Sequence, residues 1–248
     1  MNKSDSIVLI PTYNERENIE AIIRAVLALE PHTFNILVID DGSPDGTADI
    51  VRGLMANEFQ DRLFLLQRSG KQGLGTAYIA GFKWALAHGY DYVFEMDADF
   101  SHDPNDLPSL YAACHDEGCG VSVGSRYITG VNVVNWPIGR VLMSYYASAY
   151  VRTVLGIQLR DTTAGFVCYR REVLEAIDMD AIRFKGYAFQ IEMKYTALCL
   201  GFKVKEVPVI FVNRQLGTSK MSSGIFGEAF LGVIRLRLNK PKARKDRS

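Results

Sequence analysis

Residues 93–104 read Val93-Phe-Glu-Met-Asp97-Ala98-Asp99-Phe-Ser101-His102-Asp-Pro104, an apolar run that closes on two acids one residue apart. The run predicts a buried strand, and the acids fall where that strand ends. There the backbone leaves the pleat, so alternate carboxylates converge on one hard cation instead of pointing together into a core. Mg²⁺ or Mn²⁺ held by Asp97 and Asp99 keeps positions open for the oxygens of a diphosphate, the leaving group of a sugar nucleotide. Taken alone, two such acids read equally well as solvated loop residues. The decision comes from two further polar motifs that close other apolar runs.

Outward from this stretch the first half alternates strands and helices. Ser6 to Ile10 predicts a strand closed by Pro11, with Asn14 capping a helix of about Glu15 to Leu29. A strand over Asn35 to Ile39 ends in Asp40-Asp41-Gly-Ser, followed by a helix of about Gly46 to Ala56 and a strand near Arg62 to Gln67. Gly73-Leu-Gly75 opens a helix of about Thr76 to His88, and Tyr92 to Met96 is the fourth strand. This rhythm predicts an α/β fold with a mainly parallel sheet and helices on both faces. Ligands bind such sheets beyond the carboxyl ends of the strands, where Pro11–Glu15, Asp40–Gly46 and Asp97–His102 all fall. The second half is less regular. It predicts strands over Val121 to Val123, Thr163 to Tyr169 and Val204 to Val212, and helices over Ile138 to Leu155, Arg171 to Ile177 and Gln190 to Cys199. Pro208 places the last strand at an edge or a bulge.

With 248 residues, 48% of them hydrophobic, the chain can bury a full core. Lys and Arg number 28 against 28 Asp and Glu, so overall charge gives no case for nucleic acid. Cys114, Cys119, Cys168 and Cys199 lack metal-ligand spacing and read as reduced thiols of a cytoplasmic protein. We expect no signal peptide and no transmembrane helix. The expected division is a catalytic domain over residues 1–222 and an amphipathic helix with a basic tail over 223–248. In the latter, Ile225, Phe226, Ala229, Phe230, Val233 and Ile234 recur at helical spacing ahead of clustered Lys and Arg. That pattern suits a peripheral anchor on an anionic membrane surface as well as it suits a solvated tail.

Several motifs compete with plain structural readings. Pro11-Thr-Tyr13-Asn-Glu15 is an adequate turn and cap, yet Tyr13 offers a ring to a base or ribose and Glu15 accepts from hydroxyls or amines. Consecutive acids at Asp40-Asp41 are costly unless they bind something, since Asp45 or Thr47 suffices as a cap. Gly73-Leu-Gly75 falls short of a full Gly-x-Gly-x-x-Gly, which argues against a dinucleotide oxidoreductase. Arg126, Arg140, Arg214 and Lys220 supply the cationic complement for anions. The end of the Val121–Val123 strand should put Arg126 beside the Asp97 strand end.

In order along the chain, Pro-Thr-Tyr-Asn-Glu, Asp-Asp-Gly-Ser-x-Asp-Gly-Thr, Gly-Leu-Gly-Thr-Ala-Tyr, Met-Asp-Ala-Asp-x-Ser-His, Gly-Ser-Arg-Tyr, Thr-Thr-Ala-Gly-Phe and Gly-Tyr-x-Phe-Gln-x-Glu resemble the dolichyl-phosphate mannose synthases. These are inverting enzymes of glycosyltransferase family 2 with a GT-A fold. The resemblance implies that Pro11, Tyr13, Glu15, Ile39 and Asp41 hold the nucleoside, and that Asp97, Ala98 and Asp99 hold metal and diphosphate. It further implies phosphate or sugar contacts from Arg126, Arg214 and Lys220. Ser101 stands where many relatives have Gln, and offers an oxygen as a third metal ligand. Asp99 and Arg126 are then the catalytic pair, and Arg126 and Arg140 receive the acceptor phosphate. Asp161 is a positioning residue rather than a base. The implied reaction is mannose transfer from GDP-mannose to a polyprenyl or dolichyl monophosphate at the cytoplasmic face of a membrane. A UDP-sugar hexosyltransferase is the nearest rival, and a non-enzymatic sugar-nucleotide sensor is a more distant one. Membrane contact would come from the tail, the Ile138–Leu155 helix, an anchoring partner or a homo-oligomer.

Overall fold

A computed structural model describes residues 4–186, 188–213 and 225–241, with only the backbone for residues 225–229. The elements in order are β1 (Ser6–Thr12), α1 (Ile19–Leu27), β2 (Asn35–Asp40), α2 (Thr47–Asn57), β3 (Leu63–Gln67), α3 (Leu74–Ala87), β4 (Tyr92–Glu95), α4 (Leu107–His115) and β5 (Val121–Ser125). There follow β6 (Val133–Val134), α5 (Ile138–Leu155), β7 (Val167–Arg170), α6 (Arg171–Ala176), α7 (Ala188–Cys199), β8 (Val204–Pro208), β9 (Phe211–Val212) and α8 (Ile225–Leu238). Seven strands form one sheet in the order β3-β2-β1-β4-β7-β5-β8, parallel except for β7. Strand alternation distributes the core. Leu9, Leu37 and Ile39 face α3 and α7, while Val8, Ile36 and Val38 face α1, α2 and α4. All six residues of β2 are buried because both faces are covered, so Ile36 to Ile39 form a continuous apolar run rather than an alternating one.

The sheet departs from expectation at β7. Antiparallel to both neighbours, it sits between β4 and β5, pairing Glu95 with Val167 and Val167 with Val123. The Arg126 strand end is therefore two strand spacings, about 10 Å, from the Asp97 strand end rather than beside it. Because β7 runs the other way, its leading segment, Thr162 to Phe166, joins the same edge as the ends of β1, β2, β4 and β5. The predicted strand over 163–169 starts only at Val167, since Thr163 and Ala164 are occupied by side chains of Arg126 and Lys194.

Two other boundaries differ for local reasons. Asn14 is no cap: it takes a left-handed φ of 55°, and α1 starts at Ile19. Ser43 Oγ accepts the Asn14 amide at 3.0 Å and Thr47 Oγ1 accepts that of Glu15 at 3.1 Å, which ties this segment to the Asp40–Thr47 loop. The strand expected over Val204 to Val212 breaks after Pro208 on the sheet edge, and β9 leaves to pair with β6. Helix α4 and strand β6 were not anticipated. Among the described residues no helix is long and apolar enough to cross a membrane.

Candidate active site

Strand β4 delivers the acidic turn, and buried neighbours set its shape. The Asp97 amide donates to His102 Nδ1 at 3.1 Å. The ring is buried and lies flat on Phe166 at 4.8 Å. Burial drives the His102 pKa down to about 4 against the opposing pull of Asp99, so the ring is neutral and Nε2 carries its hydrogen. Asp99 Oδ1 accepts from the Ser101 amide at 3.1 Å and from its hydroxyl at 2.6 Å. Ser101, expected as a third metal ligand, thus spends its hydroxyl hydrogen on orienting Asp99. Two carboxylates lining a cavity offer hard oxygen donors and suit a Mg²⁺- or Mn²⁺-sized cation that keeps open positions. Among the described residues no third His, Cys, Asp or Glu joins them, so phosphate oxygens and water would complete the shell.

Arg126 and Arg140 line the same cavity, of about 550 Å³. Arg126 is not a free fork. Its Nε and Nη2 donate to the two carboxylate oxygens of Asp161 at 2.7 and 2.6 Å, and Nη2 also reaches Thr163 Oγ1 at 2.9 Å. Burial pushes the Asp161 carboxyl up, but the Arg126 charge and hydrogen bonds outweigh it and hold the group below the usual carboxylate range. Asp161 thereby positions Arg126, and among the described residues Nη1 is the Arg126 nitrogen that no side chain takes up. Arg140, from the first turn of α5, stacks on Trp136 with Cζ 3.9 Å from the ring centroid and donates to Asn213 Oδ1 at 3.0 Å. Arg126 lies 5.5 Å from the same ring, so Trp136 holds both cations at one wall. Beyond them the cavity turns apolar, along Met143, Tyr146, Ala147 and Tyr150 of α5 and Phe230 of α8. Arg214 and Lys220 lie outside the described residues.

The expected nucleoside residues collect at the ends of β1 and β2, where Pro11 pairs with Ile39. Ile39 is fully buried in the core, as Ala98 nearly is, so either could meet a ligand only through its backbone. The two adjacent acids have different fates. Asp40 accepts from the Ser43 amide and hydroxyl and from Thr12 Oγ1, which makes it a turn residue. Asp41 faces Arg68 at 3.1 Å, with its pKa raised by burial against that pairing. Lys71 stands over the Tyr13 ring at 5.3 Å. Neither Arg68 nor Lys71 was singled out in the sequence, because each sits in a loop without a motif.

A family model described as "Glycosyl transferase family 2" matches residues 7–178, more than half of the chain. The chain belongs to glycosyl transferase family 2. The polyprenol monophosphomannose synthase of Mycolicibacterium smegmatis is 46% identical over 245 residues, covering 96% of this chain and 90% of that protein. The undecaprenyl-phosphate mannosyltransferase of Micrococcus luteus is 45% identical over 229 residues, 92% of either chain. In fold the chain resembles glucosyl-3-phosphoglycerate synthase of Mycobacterium tuberculosis, with a TM-score of 0.66 at 20% identity, covering 96% of this chain and 81% of that one. A mannosyltransferase of Pyrobaculum calidifontis, solved with GDP-Man and Mn²⁺, gives 0.63 at 19% identity and covers 98% and 67%. These likenesses establish the GT-A architecture.

One further cluster had no role in the sequence reading, which placed Gln190 only in the Gly-Tyr-x-Phe-Gln-x-Glu motif and at a helix start. Glu95, Gln190 and Lys194 are all buried where β4 meets α7. Burial pushes Glu95 up to about 8, only partly offset by Gln190 and Lys194 beside it. Lys194 donates to Ala164 O at 2.5 Å, which fixes the loop leading into β7. Glu95 lay hidden inside an apolar run, and Lys194 inside a helix whose every residue from Ala188 to Ala197 is buried.

Proposed function

We propose that the chain transfers mannose from GDP-mannose to a polyprenyl monophosphate with inversion, at the cytoplasmic surface of a membrane. The observation that carries this reading is one cavity with three chemistries: the Asp97–Asp99 pair, the guanidinium wall of Arg126 and Arg140, and an apolar run along α5. An acceptor that is anionic at one end and hydrocarbon beyond matches that sequence of surfaces. The 45–46% identity to synthases named for polyprenol and undecaprenyl phosphate supports the same acceptor class.

Asp97 and Asp99 would hold Mg²⁺ or Mn²⁺, which neutralises the departing diphosphate. Ser101 and His102 keep that turn in shape. Arg140, with Nη1 of Arg126, aligns the acceptor phosphate, whose second pKa of about 6 leaves it ionised near neutral pH. No general base is needed, and Asp161, held ionised and bidentate, serves Arg126 instead. Displacement from the face opposite the diphosphate then converts an α-linked donor to a β-linked product.

The test is purified protein with polyprenyl phosphate, Mg²⁺ or Mn²⁺, and labelled GDP-mannose or UDP-glucose, scored for label entering the lipid phase. Label from GDP-mannose, abolished by EDTA, is expected. Transfer from UDP-glucose alone would replace the mannose reading, and full activity in excess EDTA would remove the cation.

A further inference from the structure

Helix α5 is a wall with two faces. Arg140, Met143, Ala147 and Tyr150 line the cavity described above. At about 100° per residue, Ile138, Leu142, Tyr145 and Arg152 fall on the opposite side of the helix. There a second recess, of about 510 Å³, lies between α5, the segment after β5 and the loop that leads to β7. Tyr127, Tyr145, Arg152, Ile157, Gln158 and Arg160 line it, two cations and, among the described residues, no acid. None of these six side chains has a part in the transfer reaction.

Both guanidinium groups are only partly engaged. Arg152 donates through Nη1 to Arg160 O at 3.4 Å, and Arg160 donates through Nη1 to Ile128 O at 3.0 Å. Among the described residues neither forms an ion pair, so each keeps Nε and Nη2 for an anion. The neighbouring acid Glu206 is spent on Ser125 Oγ and on the amides of Asp161 and Arg160, at 2.7, 2.8 and 2.8 Å. The carbonyls that end α5 are covered too, Arg152 O by the amides of Gly156 and Ile157, and Leu155 O by Arg237. Cations at a helix C-terminus suit its dipole, which accounts for Arg152 but not for Tyr127. Tyr127 is 4% exposed, packs edge-on against Tyr145 at 5.7 Å, and its buried hydroxyl has no hydrogen-bond partner. Buried hydroxyls are almost always satisfied, and this one shares a recess with two half-free guanidinium groups.

We propose that the recess is a second phosphate site, filled by the headgroup of a bilayer lipid and separate from the site of reaction. Two guanidinium forks and a phenolic O–H all donate, which matches the oxygens of a phosphodiester. The lipid source follows from α5 itself. Ile138, Leu142 and Tyr145 are 73, 48 and 41% exposed, and their stripe runs about 10 Å along the helix before it reaches the recess. Acyl chains covering the stripe bring their phosphate to Arg152. Such a lipid fixes the rotation of α5 about its own axis, and with it the side on which the catalytic cavity opens.

The experiment uses the whole protein and vesicles of digalactosyl diacylglycerol, a neutral lipid without phosphate. These are doped either with phosphatidylglycerol or, to equal charge, with a fatty acid whose head is a carboxylate. Wild type is compared with Arg152→Gln/Arg160→Gln, with Tyr127→Phe, and with Lys83→Gln/Lys205→Gln, which removes the same charge from exposed ion pairs elsewhere. Wild type should bind the phosphatidylglycerol vesicles at least about fivefold more tightly than the carboxylate ones. The arginine variant should lose about 30-fold on phosphatidylglycerol, about fivefold for each cation. Tyr127→Phe changes no charge and keeps the ring, so it should lose at least about threefold on phosphatidylglycerol alone, with Tm unchanged. The lysine variant should lose less than about threefold, and equally on both vesicle types. Wild type binding both vesicle types alike, or equal losses in the arginine and lysine variants, would overturn the site in favour of diffuse charge. Inorganic phosphate raising the wild-type Tm but not that of Tyr127→Phe, with no preference for phosphatidylglycerol, would overturn the lipid source and leave a site for free phosphate. Neither donor nor acceptor is present, so failure here leaves the transferase reading standing, and failure of label transfer leaves this site standing.

Discussion

At the scale of single residues the site is governed by buried pairs rather than by free charges. Asp161 neutralises Arg126 in a setting where both are over nine-tenths buried. Asp161→Asn leaves the guanidinium without its counter-charge, and breaking such a pair costs about 3–5 kcal/mol. Because the folded carboxyl titrates below its ordinary 3.8, its contribution is present above that value and is lost as pH falls through the folded pKa. Urea unfolding should show wild type exceeding Asp161→Asn by a constant margin near neutrality that shrinks only below about pH 4. A margin that faded between about pH 5 and 8 would point to another group. Arg140 makes the complementary prediction. Its stacked guanidinium is not replaceable by a point charge. Arg140→Lys should therefore raise the KM for polyprenyl phosphate at least about tenfold while leaving that for the donor within twofold. An effect confined to the donor would move Arg140 out of the acceptor site.

Elements are held to one another at points where no side chain fits. Gly75, in the first turn of α3, donates its amide to Lys185 O at 2.8 Å, and a Cβ there would lie 2.8 Å from the Phe189 ring and 2.9 Å from Phe184 O. A backbone oxygen cannot step aside cheaply, so Gly75→Ala should cost about 1–3 kcal/mol by overpacking. Calorimetry would register this as a fall of about 2–4 °C in Tm per kcal/mol. Gly53 in α2 has nothing within 4 Å of its absent Cβ, so Gly53→Ala should instead stabilise by roughly 1 kcal/mol through helix propensity. If both substitutions shifted Tm alike, close approach would not be the reason for Gly75. The Gly-Leu-Gly sequence thus serves the packing of the loop before α7 onto α3, which explains why it resembled a phosphate-binding turn while lacking the rest of one.

For the molecule as a whole, an exposed apolar surface runs across two helices. Ile138, Leu142, Met143, Tyr145 and Tyr146 of α5 and Phe230, Leu231, Ile234 and Leu238 of α8 all stand in solvent. The face expected from the tail sequence is divided. Val233 turns inward with Leu236 to pack on Val151, Leu155, Ile191 and Tyr195, while the side chains of Ile225, Phe226 and Ala229 lie outside the described residues. Deleting residues 223–248 would therefore open a core, and point substitutions are the better probe of anchoring. Leu142→Gln combined with Leu231→Gln leaves the cavity lining untouched. This variant should sediment less with anionic vesicles, and less still at high salt, while turning over a short water-soluble prenyl phosphate at the wild-type rate. Sedimentation equal to wild type would clear these helices as the anchor.

Strand and helix order in the first half, the acidic turn and the family were legible because each depends on neighbours within a few residues: β-branched runs, turn chemistry, and carboxylates at fixed spacing. What the chain could not reveal was pairing across distance. The insertion of β7 between β4 and β5 joins segments over 70 residues apart, and nothing local marks its direction. The same holds for the capture of Arg126 by Asp161 across 35 residues and for the burial of Glu95 beside Gln190 and Lys194. Charge and hydrogen-bonding capacity are properties of residues, and are written in the sequence. Whether a charge is free, paired or orphaned depends on what the fold brings within a few ångströms of it, and that only the tertiary structure decided.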